Sequence, residues 1–263
     1  MVKPAVTLAA VLLIAFLSQA QTIAPPLVVG IDHIPVVVAN LEKAEADFRR
    51  LGFSIKPGRP HADGIRNAHV KFPDGTEIEL ITAPAAVDAL TTEYVAKIKT
   101  GDGPVYFGLY APDRTALAAK LRANGFGVQN DDNSILTFPP GSPLHPLFFG
   151  GRNKSPTDKP GYFAHANSAT RFSGLWIRDD RQLRGLFQDL GVPLIPMRQC
   201  TPISASESSA VALPEGSVCL VPSVRANKSA GWPTSRGFRD VEAEMHATMA
   251  SPLQTRHPSQ KKA

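Results

Sequence analysis

The feature that most constrains the fold is a pattern that recurs three times along the chain. Three segments with the apolar periodicity of a helix end in Gly, the residue that most easily takes the left-handed conformation that closes a helix. Further on, each copy has an apolar residue, any residue, an aromatic residue or Leu, Pro, any residue, Gly, and Thr or Ser, which is typical of a hairpin turn. The helix ends read ADFRRLGFSI, AAKLRANGFGV and LFQDLGVPL, and the turns read VKFPDGT, LTFPPGS and VALPEGS.

Each copy also begins with a strand-like run and a residue able to cap a helix. The runs are LVVGIDHIPVVV, PVYFGLY and FSGLWI, and the predicted caps are Asn40, Asp113 and Asp179. A copy therefore reads as strand, helix and three strands. The sequence predicts an α+β chain with three βαβββ units, at about 25–82, 103–150 and 172–222.

The first twenty residues read as a signal peptide. Lys3 gives a positive start, Ala5 to Leu17 is an apolar run, and the small residues up to Ala20 suit a signal peptidase. The run is short for a bilayer span, although an uncleaved anchor stays open as an alternative. We expect cleavage after Ala20, a periplasmic or secreted protein, and no membrane association after cleavage.

The two cysteines, Cys200 and Cys219, lie in one late segment. In an oxidising compartment such a pair is most simply a disulfide, whereas a catalytic cysteine would need a free thiolate. Residues 223–263 match no repeat, and we expect a partly disordered C-terminal extension there. The net charge of +5 sits partly in the tail TRHPSQKKA, so it does not argue for a nucleic-acid partner.

The segments GIDHIPVVVANLEKAEADFRRLGF and GRPHADGIRNAHVKFPDGTEIELI resemble the glyoxalase-like branch of the vicinal oxygen chelate superfamily, which includes glyoxalase I, extradiol dioxygenases and bleomycin-binding resistance proteins. They carry its first-strand Asp-His, Gly-x-x-His, Gly-x-x-Asn and a Leu-Glu-Leu type of fourth strand. HANSATRFSGLWI resembles the segment that opens the later half of such proteins. The resemblance covers most of 28–222. It implies repeated βαβββ units that form cupped mixed sheets with helices packed outside, with a two-unit glyoxalase-like domain at 25–150.

In the superfamily, metal ligands come from the first and fourth strands of paired units. Counting from the glycines of the repeat gives the corresponding positions, which are His33 and Glu79 in the first unit, Tyr106 and His145 in the second, and Phe172 and Leu220 in the third. The resemblance thus implies a divalent metal (Fe, Mn, Ni or Zn) held by His33, Glu79 and His145. Such a metal would leave positions open for two substrate oxygens.

The resemblance also suggests roles for neighbouring residues. Glu77 or Tyr106 would handle a proton or orient the substrate, and His61, Asn67 and His165 would contact the substrate. Plainer interpretations stay open: His33 as a buried core histidine, Glu77 and Glu79 as solvated carboxylates, and His145 displaced by a register slip because prolines flank its strand.

Two functions follow from this sequence. The first is a metal-dependent lyase, isomerase or dioxygenase that acts on a small molecule with vicinal oxygens. The second is a metal-free protein that binds or sequesters a small molecule in the same fold. A poorly formed strand at His145 would favour the second. Whether the third unit pairs with another chain, giving a homodimer, also stays open.

Overall fold

The structure is a computed structural model that describes residues 25–129, 135–152, 154–196 and 209–221. The predicted signal peptide, Cys200 and the predicted extension 223–263 lie outside the described residues. Within the described residues, no helix is long and apolar enough to cross a membrane.

The described part of the chain contains four α-helices and twelve strands. The helices are α1 (Leu41–Arg50), α2 (Ala89–Ile98), α3 (Arg114–Ala123) and α4 (Arg181–Asp189). The strands are β1 (Gly30–Ile31), β2 (His33–Val37), β3 (Lys56–Pro57), β4 (Arg66–Lys71), β5 (Glu77–Thr82), β6 (Gly103–Pro104), β7 (Phe107–Tyr110), β8 (Leu147–Gly150), β9 (Gly174–Arg178), β10 (Leu194–Pro196), β11 (Ser209–Leu213) and β12 (Gly216–Val221).

The three units have the same strand order. The first forms the sheet β3-β4-β5-β2-β6 and the third forms β10-β11-β12-β9, so in both the first strand lies parallel to the last strand of its unit. In the second unit β7 lies parallel to β8, and single bridges at Gln129–Thr137 and Leu136–Phe149 extend the same order. The predicted α+β fold of repeated βαβββ units is confirmed, with mixed sheets and no closed barrel in the described part of the chain.

The glycines of the repeat explain why the three helices end alike. Gly52, Gly125 and Gly191 all have positive φ, between 72° and 89°. Each donates its backbone N–H to the carbonyl three residues earlier, and the next residue donates to the carbonyl five residues earlier. This is the hydrogen-bond pattern of a Schellman motif, in which the left-handed residue satisfies the last carbonyls of the helix.

The helix starts agree with the sequence in two units and differ in one. Asn40 and Asp113 cap α1 and α3 by accepting a backbone N–H three residues on, each at 2.8 Å. The predicted cap Asp179 is wrong, because Asp180 caps α4. Asp179 instead accepts two hydrogen bonds of 2.6 Å from the guanidinium of Arg184.

The first strand of the chain joins the first two units. β1 pairs antiparallel with β7 of the second unit, whereas β2 pairs with β5 of its own unit. The third unit adds a single bridge between Gly30 and Glu215. Arg152 reinforces this junction, since its guanidinium donates to the backbone of Ile31 and Asp74 and pairs with the carboxylate of Glu215.

The two faces of these sheets carry two separate clusters of apolar side chains. The main core lies between the sheets and α1, α3 and α4, and it includes Ile34, Leu80, Leu109 and Phe149. We call the opposite side, formed in the first two units by alternate residues of β2, β4, β5, β7 and β8, the inner face. A second apolar cluster lies there, where Tyr94 of α2 packs on Val37, Ile65, Ile81, Ala83 and Val105. Helix α2 belongs to no repeat, and it covers part of the inner face.

Candidate functional site

The inner face of the first unit carries a row of polar side chains. In the parallel pairing of β2 with β5, His33 lies opposite Glu77 and Pro35 lies opposite Glu79. In the antiparallel pairing of β4 with β5, His69 lies opposite Glu79. Because side chains alternate between the faces of a strand, these residues all point to the same side. The two carboxylates of β5 therefore share the inner face with His33.

His33 is held by its neighbour Asp32. The Nδ1 atom of His33 lies 2.8 Å from Oδ2 of Asp32, which is 3% exposed and also accepts the backbone N–H of Arg152. Burial lowers the pKa of His33, but the hydrogen bond and charge of Asp32, with the charges of Glu79 and Glu77, outweigh it and leave the pKa raised. The Nε2 atom of His33 lies 3.8 Å from Oε2 of Glu79. That distance is too long for a direct hydrogen bond.

Asn67 orients Glu79 and ties down the loop before β4. Its Nδ2 donates to Oε1 of Glu79 at 2.6 Å, and its Oδ1 accepts the backbone N–H of Arg59 at 3.2 Å. The same loop carries His61, whose Nε2 atom is buried and has no hydrogen-bond partner among the described residues. A buried nitrogen without a partner costs about 1–3 kcal/mol, so the loop holds an unsatisfied polar atom.

Glu77 belongs to a network of buried charges. It contacts Nδ1 of His69 and lies 3.6 Å from Nζ of Lys71. Lys71 and Lys56 share the carboxylate of Asp158, at 2.8 and 2.5 Å. Burial raises the pKa of Glu77, but the hydrogen bond from His69 and the nearby positive charges outweigh it and lower the pKa. Glu77 is thus an ionised member of an ion-pair network, which is a poor position for a proton acceptor.

The second unit presents different residues at the matching positions. His145 lies in a turn, and β8 begins only at Leu147. In the first unit, Glu79 pairs with Pro35, which lies two residues after His33. In the second unit, Phe148 pairs with Gly108, which lies two residues after Tyr106. Phe148, three residues after His145, is therefore the counterpart of Glu79. The stretch between the turn glycine and the last strand is longer in this unit, so counting from the glycine does not find it.

Phe148 packs directly on the first unit. Its ring centroid lies 4.7 Å from that of His33. A Cβ atom at position 108 would lie 2.3 Å from the Phe148 ring, so Gly108 leaves the space that this ring occupies. An aromatic side chain thus fills the position where the resemblance implies a metal ligand.

Helix α2 contributes Glu93, a residue that the sequence analysis missed. Its carboxylate accepts the hydroxyl of Tyr106 and lies 3.0 Å from Nε2 of His145. The other ring nitrogen of His145 lies 2.9 Å from the carbonyl oxygen of Phe138. Burial, followed by the hydrogen bond and charge of Glu93, raises the pKa of Tyr106 well above its usual value. The sequence gives no spacing that relates Glu93 to Tyr106 or His145, because α2 lies outside the repeat.

His165 lies on the opposite side of the sheet. Its Nδ1 accepts the backbone N–H of Ser54 at 3.0 Å, and its Nε2 lies 3.1 Å from the carbonyl of Lys71. The ring packs edge-on against Phe53 and Phe72 in the main core. Both nitrogens are engaged by backbone, so a ligand on the inner face has no access to this imidazole. Phe172 and Leu220 of the third unit are also buried in the main core.

The donor set does not fit the three-ligand metal site that the resemblance implies. The structure brings His33 and Glu79 together, but His145 is paired with Glu93 and Phe148 fills the remaining position. Across the described ranges, no cluster of three His, Cys, Asp or Glu side chains could hold a metal ion.

Comparisons with known proteins agree with this fold. A hypothetical protein from Staphylococcus aureus superposes with a TM-score of 0.54 at 13% identity, over 74% of this chain and 86% of that one. A mutant of 4-hydroxymandelate synthase from Streptomyces coelicolor gives 0.52 at 12% identity, over 75% of this chain and 63% of that one. A fusion of a xylose isomerase-like TIM barrel with 4-hydroxyphenylpyruvate dioxygenase gives 0.52 at 13%, over 78% and 34%.

At these identities the likeness concerns the fold alone. The search of curated proteins gives no match. The profile of the glyoxalase-like domain family matches residues 31–182, which is more than half of the chain. The chain therefore belongs to the glyoxalase-like domain family, within the vicinal oxygen chelate superfamily.

Proposed function

We propose that this protein binds a small oxygenated molecule on the inner face of the first unit, without a resident metal. The observation that carries the proposal is Phe148, which packs on His33 in place of a ligand from the second unit. The turn at His145, where a strand was predicted, supports the same choice. Under this proposal, polar side chains orient the molecule, and an apolar ring provides the contact area that small-molecule sites usually have.

The polar groups beside Phe148 suit an oxygen atom of the ligand. Nε2 of His33 and Oε2 of Glu79 lie 3.8 Å apart, and their side chains are 27% and 17% exposed. The raised pKa of His33 favours the imidazolium, in which Nε2 can donate to a hydroxyl group between them while that hydroxyl donates to Glu79. Asp32 fixes the imidazole by its hydrogen bond to Nδ1, so that Nε2 faces the ligand.

A metal-dependent lyase, isomerase or dioxygenase is the second candidate. The observation that favours it is the approach of His33 to Glu79, two residues of types that bind Fe, Mn, Ni or Zn. A metal bound there would supply Lewis-acid chemistry to a vicinal-oxygen substrate. Its missing third ligand would come from outside the contacts described above.

Binding to the purified protein tests the first proposal. We would screen diols, hydroxyketones and hydroxy acids by thermal shift, with and without EDTA, and measure dissociation constants for the hits. A hit should bind equally well in EDTA, and His33→Gln and Glu79→Gln should each weaken it by about tenfold or more, as expected for a lost hydrogen bond to a charged group. Glu42→Gln, at an exposed carboxylate, is the control. Binding that EDTA abolishes would support the metal-dependent candidate instead.

We also propose that the chain is exported and cleaved after Ala20. Mass spectrometry of the protein recovered from the periplasm or medium should give a chain that begins at Gln21. The same spectrum, with and without reductant, tests the disulfide between Cys200 and Cys219, since reduction adds two hydrogen masses.

A homodimer is a further proposal, which light scattering at the exit of a sizing column tests. An intact N-terminus or a monomer mass would contradict the respective proposal.

A further inference from the structure

Glu93 is bound by the second unit in the way that a ligand carboxylate would be bound. It enters from α2, and Tyr106 and His145 reach it from the segments beside β7 and β8. The distances from Nε2 of His145 to its two oxygens are 3.0 and 3.2 Å, so the imidazole faces both. The carboxylate therefore lies in a cradle of two side-chain donors.

Both donors suit an anion better than a neutral group. The raised pKa of Tyr106 keeps its hydroxyl protonated, so it donates. The ring nitrogens of His145 face the Phe138 carbonyl oxygen and the Glu93 carboxylate, which are both acceptors. The nitrogen that faces Glu93 is therefore placed to donate to a carboxylate. A hydrogen bond that an ionised carboxylate accepts is about twice as strong as one between neutral groups.

The helix that delivers Glu93 is an addition to the repeat. It starts at a capping box in which Asp88 and Thr91 bond each other's backbone, so its N-terminus forms without help from the sheets. Tyr94, Val95 and Ile98 hold it on the inner face through the second apolar cluster. The side chains of Glu93 and His145 are 18% and 16% exposed, so solvent reaches the ion pair. A competing anion can therefore reach the cradle without unfolding the units.

We infer that Glu93 occupies the seat of a ligand carboxylate, and that the molecule bound by this protein is a small carboxylic acid in its ionised form. This inference rests on the proposed function and names the ligand class. The ligand carboxylate replaces Glu93 between Tyr106 and His145. Helix α2 is then an autoinhibitory element, because its own carboxylate competes for the seat and lowers the apparent affinity.

Removing the internal competitor tests the inference. We would measure the binding of acetate, pyruvate and benzoate, with acetamide and benzamide as neutral counterparts, by calorimetry on the wild type, Glu93→Ala and Glu93→Gln. Both variants should bind the carboxylates about tenfold more tightly than the wild type, as expected for one displaced charged hydrogen bond, with no gain for the amides. Tyr106→Phe added to Glu93→Gln should reverse part of the gain. Glu45→Ala, at an exposed ion pair on α1, should change nothing.

A second measurement does not depend on the stability of a variant. In the wild type, saturating benzoate should speed amide hydrogen exchange in α2 relative to α1, because it releases the helix from the cradle. Unchanged carboxylate affinity in both Glu93 variants, with unchanged exchange in α2, would overturn the inference. If neutral molecules then still bind in a His33-dependent way, the proposed function stands alone. If no compound binds to any variant, the proposed function fails as well.

Discussion

The inner faces of the first and second units differ far more than their backbones do. In the first unit the face is a row of ionisable groups that includes His33, Glu77 and Glu79. In the second it is made of Phe148 and Tyr106, with a histidine already paired to Glu93 of α2. Both units nevertheless share strand order, a polar helix cap and a glycine-closed helix end.

The units agree at the residues that determine the backbone of a repeat. Glycines with positive φ and helix caps determine the backbone, so losing one disrupts a unit. The first two units share these backbone features although their inner-face side chains differ. The four positions that would surround a metal in a symmetrical pair have become two polar residues in one unit and two aromatic residues in the other. The inner faces of the two units are therefore chemically different.

The largest effect is expected where the first unit buries charge. Asp158→Ala would leave the nearly buried Lys56 and Lys71 without their shared carboxylate, and we expect it to cost about 3 kcal/mol of unfolding free energy. Urea denaturation followed by circular dichroism measures this. Asp47→Ala, which breaks an exposed pair on α1, should cost less than about 0.5 kcal/mol. Equal losses in the two variants would contradict a buried network in the first unit.

Acid should weaken the same network and lower the free energy of unfolding. Burial raises the pKa of Asp158, but hydrogen bonds from Lys56, Lys71 and the backbone of Ser155 outweigh it and lower the pKa to about 2. A depressed pKa stabilises the fold above the unfolded value near 4, and the contribution is lost as the pH falls towards 2. The wild type should lose about 2 kcal/mol more than Asp158→Asn between pH 5 and pH 2 in urea titrations. Parallel losses in the two proteins would argue against this assignment.

Introducing a metal-binding side chain in the second unit should make its inner face resemble that of the first unit. Phe148→His would place a third donor beside His33 and Glu79, and we expect affinity for Zn or Ni to rise by about tenfold or more. Competition with a fluorescent chelator measures the affinity. Phe148→Leu removes the ring without adding a donor, and it should stay at the level of the wild type. A wild type that already binds as tightly as Phe148→His would show that the second unit does not limit the site.

The smallest expected effect concerns the cradle of Glu93. Tyr106→Phe removes one hydrogen bond to a partly exposed carboxylate, and we expect it to cost about 1 kcal/mol of unfolding free energy. Thermal or urea denaturation measures the loss, and Tyr162→Phe in the 3-10 turn at Pro160–Tyr162 is the matched control. A loss that is no larger than that of the control would mean that α2 is held by its apolar contacts alone.

The sequence predicted the parts of this structure that are determined by local chemistry. The spacing of glycines and prolines predicted the units, and the family resemblance, with the count from the repeat glycines, associated Glu79 with His33. It failed where length varied: the longer stretch after Gly141 moved His145 out of register, and a shorter helix shifted the cap from Asp179 to Asp180. Glu93 was missed because its partners are distant in sequence, and no spacing rule relates a helix outside the repeat to Tyr106 and His145.

The metal content of the purified protein tests directly whether the inner face works without a resident metal. We would measure it by inductively coupled plasma mass spectrometry after incubation with Fe, Mn, Ni or Zn and desalting, beside His33→Ala and Glu79→Ala. A site without a resident metal should give far less than one metal ion per chain, with no difference between the wild type and either variant. Near-stoichiometric metal that disappears in both variants would contradict it, and would make His33 and Glu79 the ligands of a metal-dependent enzyme.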